Sequence, residues 1–189
     1  RKNIGASAVK LLKEAGYSNA GTVEFLYDAA QDEYYFMEVN ARLQVEHPVT
    51  EMVTGEDIVE HQIRIAYGEP LKLKQQDVSF DGAAIECRIN AEDPERNFAP
   101  TPGTLDVFIP PMGENIRLDT HCYAGYTIPP HYDSLIGKLI VKGENRGEAI
   151  LKARRALDEF LVEGIPTTIG FHKTLLKHTR FVIGKYDIN

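Results

Sequence analysis

The chain has 189 residues, a formal net charge of −7 and a sequence pI near 5.4, and 43% of its residues are hydrophobic. This acidic balance, without any dense Lys/Arg cluster, argues against nucleic acid or a membrane surface as partners, so any anion site must be local. No apolar run approaches the roughly 20 residues of a membrane span, and Cys87 and Cys122 lack metal-site or disulfide-framework spacing. We expect a globular, cytoplasmic protein of one or two domains, with the mitochondrial matrix as an alternative location.

The first predicted element is an amphipathic helix over residues 6–15, ended by Gly16. The chain opens at Arg1 rather than Met, almost inside this helix, which predicts that it is the later part of a longer protein. Two strands, residues 21–27 and 33–46, follow on either side of a polar connection. They are expected to pair as antiparallel neighbours.

Polar residues alternate with apolar ones at the end of the second predicted strand. The polar set is Glu38, Asn40, Arg42, Gln44 and Glu46. In a strand this period places all five side chains on one face. Carboxylates, an amide and a guanidinium in a row suit a hard cation beside a small oxyanion. The alternative is an amphipathic edge strand with a solvated face. Pro48 follows directly and is expected to hold His47 extended, and we assign His47 no catalytic role.

A metal site is predicted where the two strands face each other. Glu24 and Glu38 lie on neighbouring strands, so their carboxylates can sit about 5 Å apart across the ladder. A bound Mg²⁺ would relieve their repulsion, with the Asn40 amide as a further oxygen ligand. Alternatively, the register keeps the two carboxylates on separate faces and they are ordinary solvated acids.

The first domain is predicted to close with a helix over residues 55–66 and a non-periodic connection over residues 70–81. The inner face of this helix is expected to carry Ile58, Val59, Gln62, Ile63 and Ala66. We place the boundary in the connection, giving domains at residues 1–78 and 79–189.

The second domain is predicted to be mainly β, with strands near residues 83–92, 104–109, 116–119 and 135–142. A long helix should open at Asn145 with Glu148 three residues later and close at Gly164. Its expected buried side chains are Ile150, Ala153, Leu157, Phe160 and Leu161. Residues 168–177 should add a further helix. Neither a G-x-G-x-x-G nor a G-x-x-x-x-G-K-[ST] signature is present.

Two features of this second domain are candidates for chemistry. Arg88 lies on a strand, where a planar guanidinium can grip phosphate or a developing enolate, although pairing with Glu86 or Glu92 is the commoner fate of a strand Arg. The segment YTIPPHYDS, residues 126–134, is either part of a pocket or a brace for a corner.

Three long segments together resemble biotin carboxylase: EVNARLQVEHPVTEMVTG at residues 38–55, AAIECRINAEDP at 83–94 and AGYTIPPHYDSLIGKL at 124–139. The resemblance covers nearly the whole chain. It implies an α+β fold, in which the end of an ATP-grasp domain, an antiparallel sheet with helices, precedes a mainly β biotin carboxylase C-terminal domain. The sequence has no counterpart to the family's N-terminal domain, glycine-rich lid or nucleotide-gripping lysines, so this segment alone is expected to be inactive.

The resemblance also implies a role for each candidate residue. Glu24, Glu38 and Asn40 would hold Mg²⁺ or Mn²⁺ against the phosphates of ATP. Arg42, Gln44 and the backbone of Val45 would position bicarbonate, and Glu46 would remove its proton. Arg88 would hold phosphate and the biotin enolate. The adenine contacts would come from Leu26, Met37 and Ile188.

By the same resemblance, the parent protein would carboxylate biotin on a biotin carboxyl carrier protein through carboxyphosphate, as the first half-reaction of a biotin-dependent carboxylase. It would work with a carboxyltransferase subunit or domain, as a homodimer. Acetyl-CoA carboxylase, in fatty acid synthesis, is the preferred parent, and pyruvate and propionyl-CoA remain alternative acceptors. The rival hypotheses are another ATP-grasp ligase and a non-catalytic domain for oligomerisation or carrier docking.

Overall fold

A computed structural model describes residues 1–186 of the chain, so Ile188 lies outside the described residues. It divides the chain into two compact units, one spanning Arg1–Ser79 and one that begins at Phe80. No helix among residues 1–186 combines the length and the apolar character that crossing a bilayer requires.

The first unit is a two-stranded antiparallel ribbon accompanied by three helices. Its elements are α1 (Lys2–Glu14), β1 (Thr22–Asp28), β2 (Glu33–Asn40), α2 (His47–Thr54), α3 (Ile58–Ala66) and a 3₁₀ turn at Gln75–Asp77. The predicted first helix and the antiparallel pairing of the first two strands are confirmed.

The second strand is shorter than predicted, and an unpredicted helix follows it. The strand ends at Asn40, and the chain bends through Ala41 and Arg42 before α2 begins at His47. Pro48 occupies the first turn of α2, where its fixed φ suits a helix and its missing N–H goes unneeded. The predictions of a strand over residues 33–46 and of an extended His47 are therefore wrong.

The predicted inner face of α3 is also wrong in part. Ile58 and Gln62 are partly buried, but Val59 is exposed and Ile63 is 64% exposed. The apolar residues do recur at helical spacing, but that spacing alone does not specify which of them another element covers.

The second unit has nine strands, three α-helices and a 3₁₀ turn at Pro94–Arg96 within its described part. The strands are β3 (Ala83–Asn90), β4 (Glu92–Asp93), β5 (Ala99–Pro100), β6 (Gly103–Thr104), β7 (Val107–Ile109), β8 (Ile116–Thr120), β9 (Thr127–Ile128), β10 (Leu135–Gly143) and β11 (Leu161–Glu163). The helices are α4 (Arg146–Glu159), α5 (Ile169–Leu175) and α6 (Thr179–Val182). The main sheet has the order β3-β10-β8, and all its pairings are antiparallel.

Helix α4 covers one face of the main sheet and closes the core. It packs against β10 and β3, burying Ala153, Ala156 and Leu157 against Leu139 and Val141 of β10. Asn145 caps its N-terminus by accepting from the Glu148 N–H at 3.1 Å. The helix ends at Glu159 rather than at Gly164, because the chain turns into β11, which pairs with β7. Leu161, predicted to be buried on this helix, lies on β11 and is exposed.

Candidate active site

The ribbon brings the predicted metal ligands together. Glu24 and Glu38 are directly opposite each other in the β1–β2 register. The Asn40 side-chain nitrogen donates to Glu24 Oε1 at 2.8 Å and to Glu38 Oε1 at 3.1 Å. The two carboxylates therefore share one face and one amide, and the alternative that the register separates them is excluded.

This arrangement fits a divalent cation on the chemistry of its donors. Two like charges directly opposite on paired strands repel, and here two N–H bonds from one amide offset part of that repulsion. Rotation of the Asn40 amide exchanges its nitrogen for its oxygen. Two carboxylates and an amide oxygen would then converge, which is the oxygen-rich set that Mg²⁺ and Mn²⁺ prefer.

A cationic group adjoins this acidic pair. The Arg42 guanidinium donates to Asn40 Oδ1 at 3.4 Å, to Gln44 Oε1 at 3.3 Å and to the Leu43 carbonyl at 3.1 Å. The side chains of Asn40, Arg42 and Gln44 thus form one hydrogen-bonded series. They do so across a bend, and the prediction that one strand presents all five polar groups is wrong.

Glu46 occupies a position that the strand prediction did not foresee. It is the exposed N-cap residue of α2, and its carbonyl accepts from the Val49 N–H at 3.1 Å. The preceding Val45 lies in the same turn and is partly buried. Glu46 therefore supports the helix through its backbone, and its carboxylate does not serve as the cap.

Two partly buried hydrogen bonds hold this turn, and the sequence indicated only one of them. His47 Nδ1 donates to the Gln44 carbonyl at 2.8 Å, which agrees with a structural role for His47. Glu51 of α2 is 8% exposed and accepts from the Ile58 N–H, the first of α3, at 2.8 Å. A glutamate seven residues before a helix start is not a recognised capping signal, so this contact could not be expected from the sequence.

The predicted adenine-facing residues lie along the same ribbon. Leu26 is 59% and Met37 is 49% exposed. The register shifts by one residue beyond Glu24, so Met37 is the extra residue of a β-bulge. Bulges of this kind commonly re-aim side chains beside functional sites. Sequence patterns did not predict it, since a bulge needs only one additional residue in an otherwise regular strand.

Arg88 lies in the second unit, on β3. Its side chain is 50% exposed, and its Nε lies 3.9 Å from Oε1 of Glu86, which is only 5% exposed. Glu92, the other predicted partner, instead accepts from Asn90 and from Ser134. The backbone carbonyl of Arg88 accepts from Thr168 and from His172. The guanidinium thus lies at ion-pair distance from one buried carboxylate.

The YTIPPHYDS segment is both a brace and part of a cavity wall. The Ser134 carbonyl accepts from the Ala91 N–H at 2.8 Å, which joins the corner to the end of β3. Pro129, Pro130 and Tyr132 line a surface cavity of about 520 Å³ together with Pro100 and Pro102. The structure therefore supports both functions that the sequence left open.

Both cysteines are free and buried. Burial raises the pKa of the Cys87 thiol to about 12, and the neighbouring Glu86 carboxylate adds to this rise. A thiol in this state is a poor nucleophile and a poor metal ligand, so Cys87 is a core residue.

Two family models match the chain. The model described as "Biotin carboxylase C-terminal domain" matches residues 86–189, and the model described as "Carbamoyl-phosphate synthase L chain, ATP binding domain" matches residues 1–74.

Relatives of established name match over nearly all of the chain. Biotin carboxylase 1 of Bacillus subtilis is 56% identical over 99% of this chain and 42% of its own length. A pyruvate carboxylase subunit of Methanothermobacter thermautotrophicus is 50% identical over 98% of this chain and 37% of its own length. The chain therefore spans about two fifths of the length of these relatives.

A solved structure shows the same fold. It is the biotin carboxylase domain dimer of 2-oxoglutarate carboxylase from Hydrogenobacter thermophilus, in complex with MgADP, ADP and bicarbonate. It aligns with a TM-score of 0.94 and 48% identity over 98% of this chain and 41% of that one. The helices and antiparallel sheets described above, an α+β arrangement, match this structure.

Proposed function

Because the chain belongs to the biotin carboxylase family, we propose that the protein containing it carboxylates biotin, using ATP and bicarbonate. The observation that carries the proposal is the hydrogen-bonded series in the first unit, in which two opposed carboxylates, an amide, a guanidinium and a second amide follow one another. An acidic end beside a cationic end suits a metal-bound nucleotide next to a small oxyanion.

In this proposal Glu24, Glu38 and Asn40 would hold Mg²⁺ or Mn²⁺. The ion would neutralise charge on the phosphates of ATP while the phosphoryl group is transferred. The exposed apolar side chains of Leu26 and Met37, on the same ribbon, would contact the adenine. Ile188 would add a contact from the C-terminal side.

Arg42, Gln44 and the backbone of Val45 would position bicarbonate. The fork of Arg42 matches two oxygens of a planar anion, and Gln44 would fix its orientation. Glu46 would accept the proton from the bicarbonate hydroxyl, and the oxygen left behind would attack the γ-phosphorus of ATP. Carboxyphosphate and ADP are the products of that step.

Arg88 would act in the second stage. Carboxyphosphate would release carbon dioxide and phosphate, and the phosphate would take the N1′ proton of biotin. Arg88 would hold that phosphate and stabilise the enolate oxygen of the biotin ring, where negative charge develops before N1′ attacks carbon dioxide. This contribution is alignment and charge stabilisation rather than covalent chemistry.

We further propose a biotin carboxyl carrier protein and a carboxyltransferase subunit or domain as partners, a homodimeric state, and a location in the cytoplasm. The Hydrogenobacter relative is a domain dimer, which supports the dimer proposal. Acetyl-CoA is the proposed final acceptor. Since relatives include a 2-oxoglutarate carboxylase domain and a pyruvate carboxylase subunit, 2-oxoglutarate and pyruvate are the competing acceptors.

The test is ATP cleavage by the protein at its natural length, with and without bicarbonate and free biotin. Cleavage that requires bicarbonate and rises with biotin, with carboxybiotin formed, is expected. Arg88→Ser should impair biotin carboxylation more than biotin-free ATP cleavage. ATP cleavage that ignores bicarbonate but depends on an amine would instead favour another ATP-grasp ligase, and no cleavage at all would favour the docking role.

A further inference from the structure

Within the described part of the chain, the strand that carries Arg88 has one side without a strand neighbour. β3 is an edge of the β3-β10-β8 sheet, and Arg88 pairs on its inner side with Lys138 of β10. On the outer side, the backbone groups of an edge strand must find other partners. Here the partners come from the start of α5, which no strand pattern in the sequence indicated.

Thr168, the N-cap residue of α5, forms hydrogen bonds to the outer edge of β3 where a neighbouring strand would otherwise do so. Its hydroxyl donates to the Arg88 carbonyl at 3.1 Å and accepts from the Asn90 N–H at 3.0 Å. Its own N–H donates to the Asn90 carbonyl at 3.1 Å. A single residue, only 4% exposed, therefore supplies three hydrogen bonds to the segment that begins at Arg88.

His172, one turn further along α5, adds a fourth bond. Its Nε2 lies 2.8 Å from the Arg88 carbonyl, and because a carbonyl only accepts, Nε2 must carry the hydrogen. Burial lowers the pKa of His172, against the opposing effect of this hydrogen bond. The carbonyl of Arg88 thus has two side-chain donors.

Helix α5 is itself firmly held, so these bonds have a rigid base. Ile169 and Leu176, at its two ends, are 8% and 1% exposed and belong to the hydrophobic core. Side chains that place a catalytic group must have their own positions fixed by packing. Thr168 meets this condition, because it is buried and lies next to Ile169.

We propose that Thr168 and His172 are positioning residues for Arg88: they fix its backbone so that the guanidinium projects at one angle from the sheet edge. This inference rests on the proposed role of Arg88 in biotin carboxylation. The competing explanation is that the two side chains merely satisfy the hydrogen-bonding groups of a sheet edge, as other donors would.

The test compares single and double variants of the protein at its natural length. Thr168→Val removes the hydroxyl while keeping the shape, and His172→Leu removes the ring donor. Each should lower kcat/KM for carboxylation of free biotin on the order of 10-fold, because a misplacement of an aligned group by about 1 Å costs about 100-fold and loss of one hydrogen bond should shift Arg88 by less than that. Biotin-free, bicarbonate-dependent ATP cleavage should stay within about 2-fold of the parent protein. The matched control is Thr174→Val, since that hydroxyl donates to Gly170 within α5 at 3.1 Å.

A double-mutant cycle separates positioning from general stability. If Thr168 and His172 act through Arg88, their substitution should cause no further loss of biotin carboxylation in an Arg88→Ser background. His172→Gln, which keeps a donor, should recover part of the loss. Should Thr168→Val fail to fold, the His172 variants decide alone.

The positioning role would be refuted by an equal loss in the Arg88→Ser background, or by a parallel loss of both activities in the single variants. Arg88→Ser is measured first. If Arg88→Ser leaves biotin carboxylation intact, the proposed role of Arg88 is wrong and this inference fails with it. If Arg88→Ser selectively impairs carboxylation but Thr168→Val and His172→Leu do not, only the positioning role is refuted.

Discussion

Replacing Glu38 by Gln should affect fold stability and metal binding in opposite directions. Glu38 lies directly opposite Glu24, and the two share the Asn40 amide. Like charges opposite each other on paired strands cost up to about 1 kcal/mol. Glu38→Gln removes that repulsion and keeps an oxygen that can accept from Asn40. The free energy of unfolding should therefore stay constant or rise by up to about 1 kcal/mol.

The same change should weaken binding of a divalent cation. Two unit charges 4 Å apart interact by about 1 kcal/mol in water, so a divalent cation loses about 2 kcal/mol when one exposed carboxylate becomes neutral. Since each 1.4 kcal/mol is tenfold, the expected loss in affinity is about 30-fold. The assay is Mn²⁺ binding followed by electron paramagnetic resonance in the presence of ADP, with thermal unfolding of the metal-free protein measured in parallel.

Glu33→Gln is the matched control. Glu33 lies on the same strand and also faces an acid, Asp28, at the far end of the ribbon. It should show a similar small gain in stability without any loss of Mn²⁺ affinity. Unchanged Mn²⁺ binding in Glu38→Gln, or an equal loss in Glu33→Gln, would refute a metal site at Glu24, Glu38 and Asn40.

The proposed bicarbonate residues and the buried thiol give three further tests. Arg42→Lys keeps the charge but loses the planar guanidinium that reaches Asn40 and Gln44. The KM for bicarbonate, measured by steady-state kinetics, should therefore rise on the order of 10-fold. An unchanged KM would contradict the proposed role of Arg42. Glu46→Gln should nearly abolish turnover without altering the circular dichroism spectrum or the melting temperature, because the backbone of Glu46 caps α2; retained turnover would exclude it as the base. Because burial raises the pKa of Cys87 to about 12, the folded state holds that proton more tightly than the unfolded chain does. Its contribution to stability should be intact below about pH 9 and fall as the pH rises towards 12. Urea unfolding of the parent protein and of Cys87→Ala should therefore converge with rising pH, and parallel curves would contradict this.

Part of the proposed metal cluster was predictable from the sequence by local rules. Alternation on a strand places Glu38 and Asn40 on one face. The position of Glu24 directly opposite Glu38 also depends on the β-bulge at Met37, which the sequence did not indicate. The structure contains both relations.

The structure differs from the sequence-based prediction where one residue, Pro48, is compatible with both an extended chain and a helix. The alternation of polar and apolar residues continues to Glu46, but Pro48 favours the first turn of a helix at least as well as an extended chain. Hydrophobic periodicity does not show which of these two conformations the chain adopts at Pro48. In α3 the same limit applies to burial, because 3.6-residue spacing identifies a stripe such as Val59 and Ile63 without identifying what lies against it.

The hydrogen bonds to the backbone carbonyl of Arg88 could not be predicted, because they join residues 80 or more positions apart. Arg88 and His172 are separated by 84 residues in sequence and by 2.8 Å between ring nitrogen and carbonyl oxygen. The alternation of β3 does indicate which way the guanidinium points. It does not indicate that β3 is an edge strand, which depends on β8 pairing with β10 rather than with β3. Once β3 is known to be the edge, Thr168 is a natural partner for it, because a threonine hydroxyl at a helix N-cap can both donate and accept. The strand pattern alone thus identifies Arg88 as the side chain of the proposed chemistry. The groups proposed to orient it, Thr168 and His172, can be identified only when the order of the strands in the sheet is known.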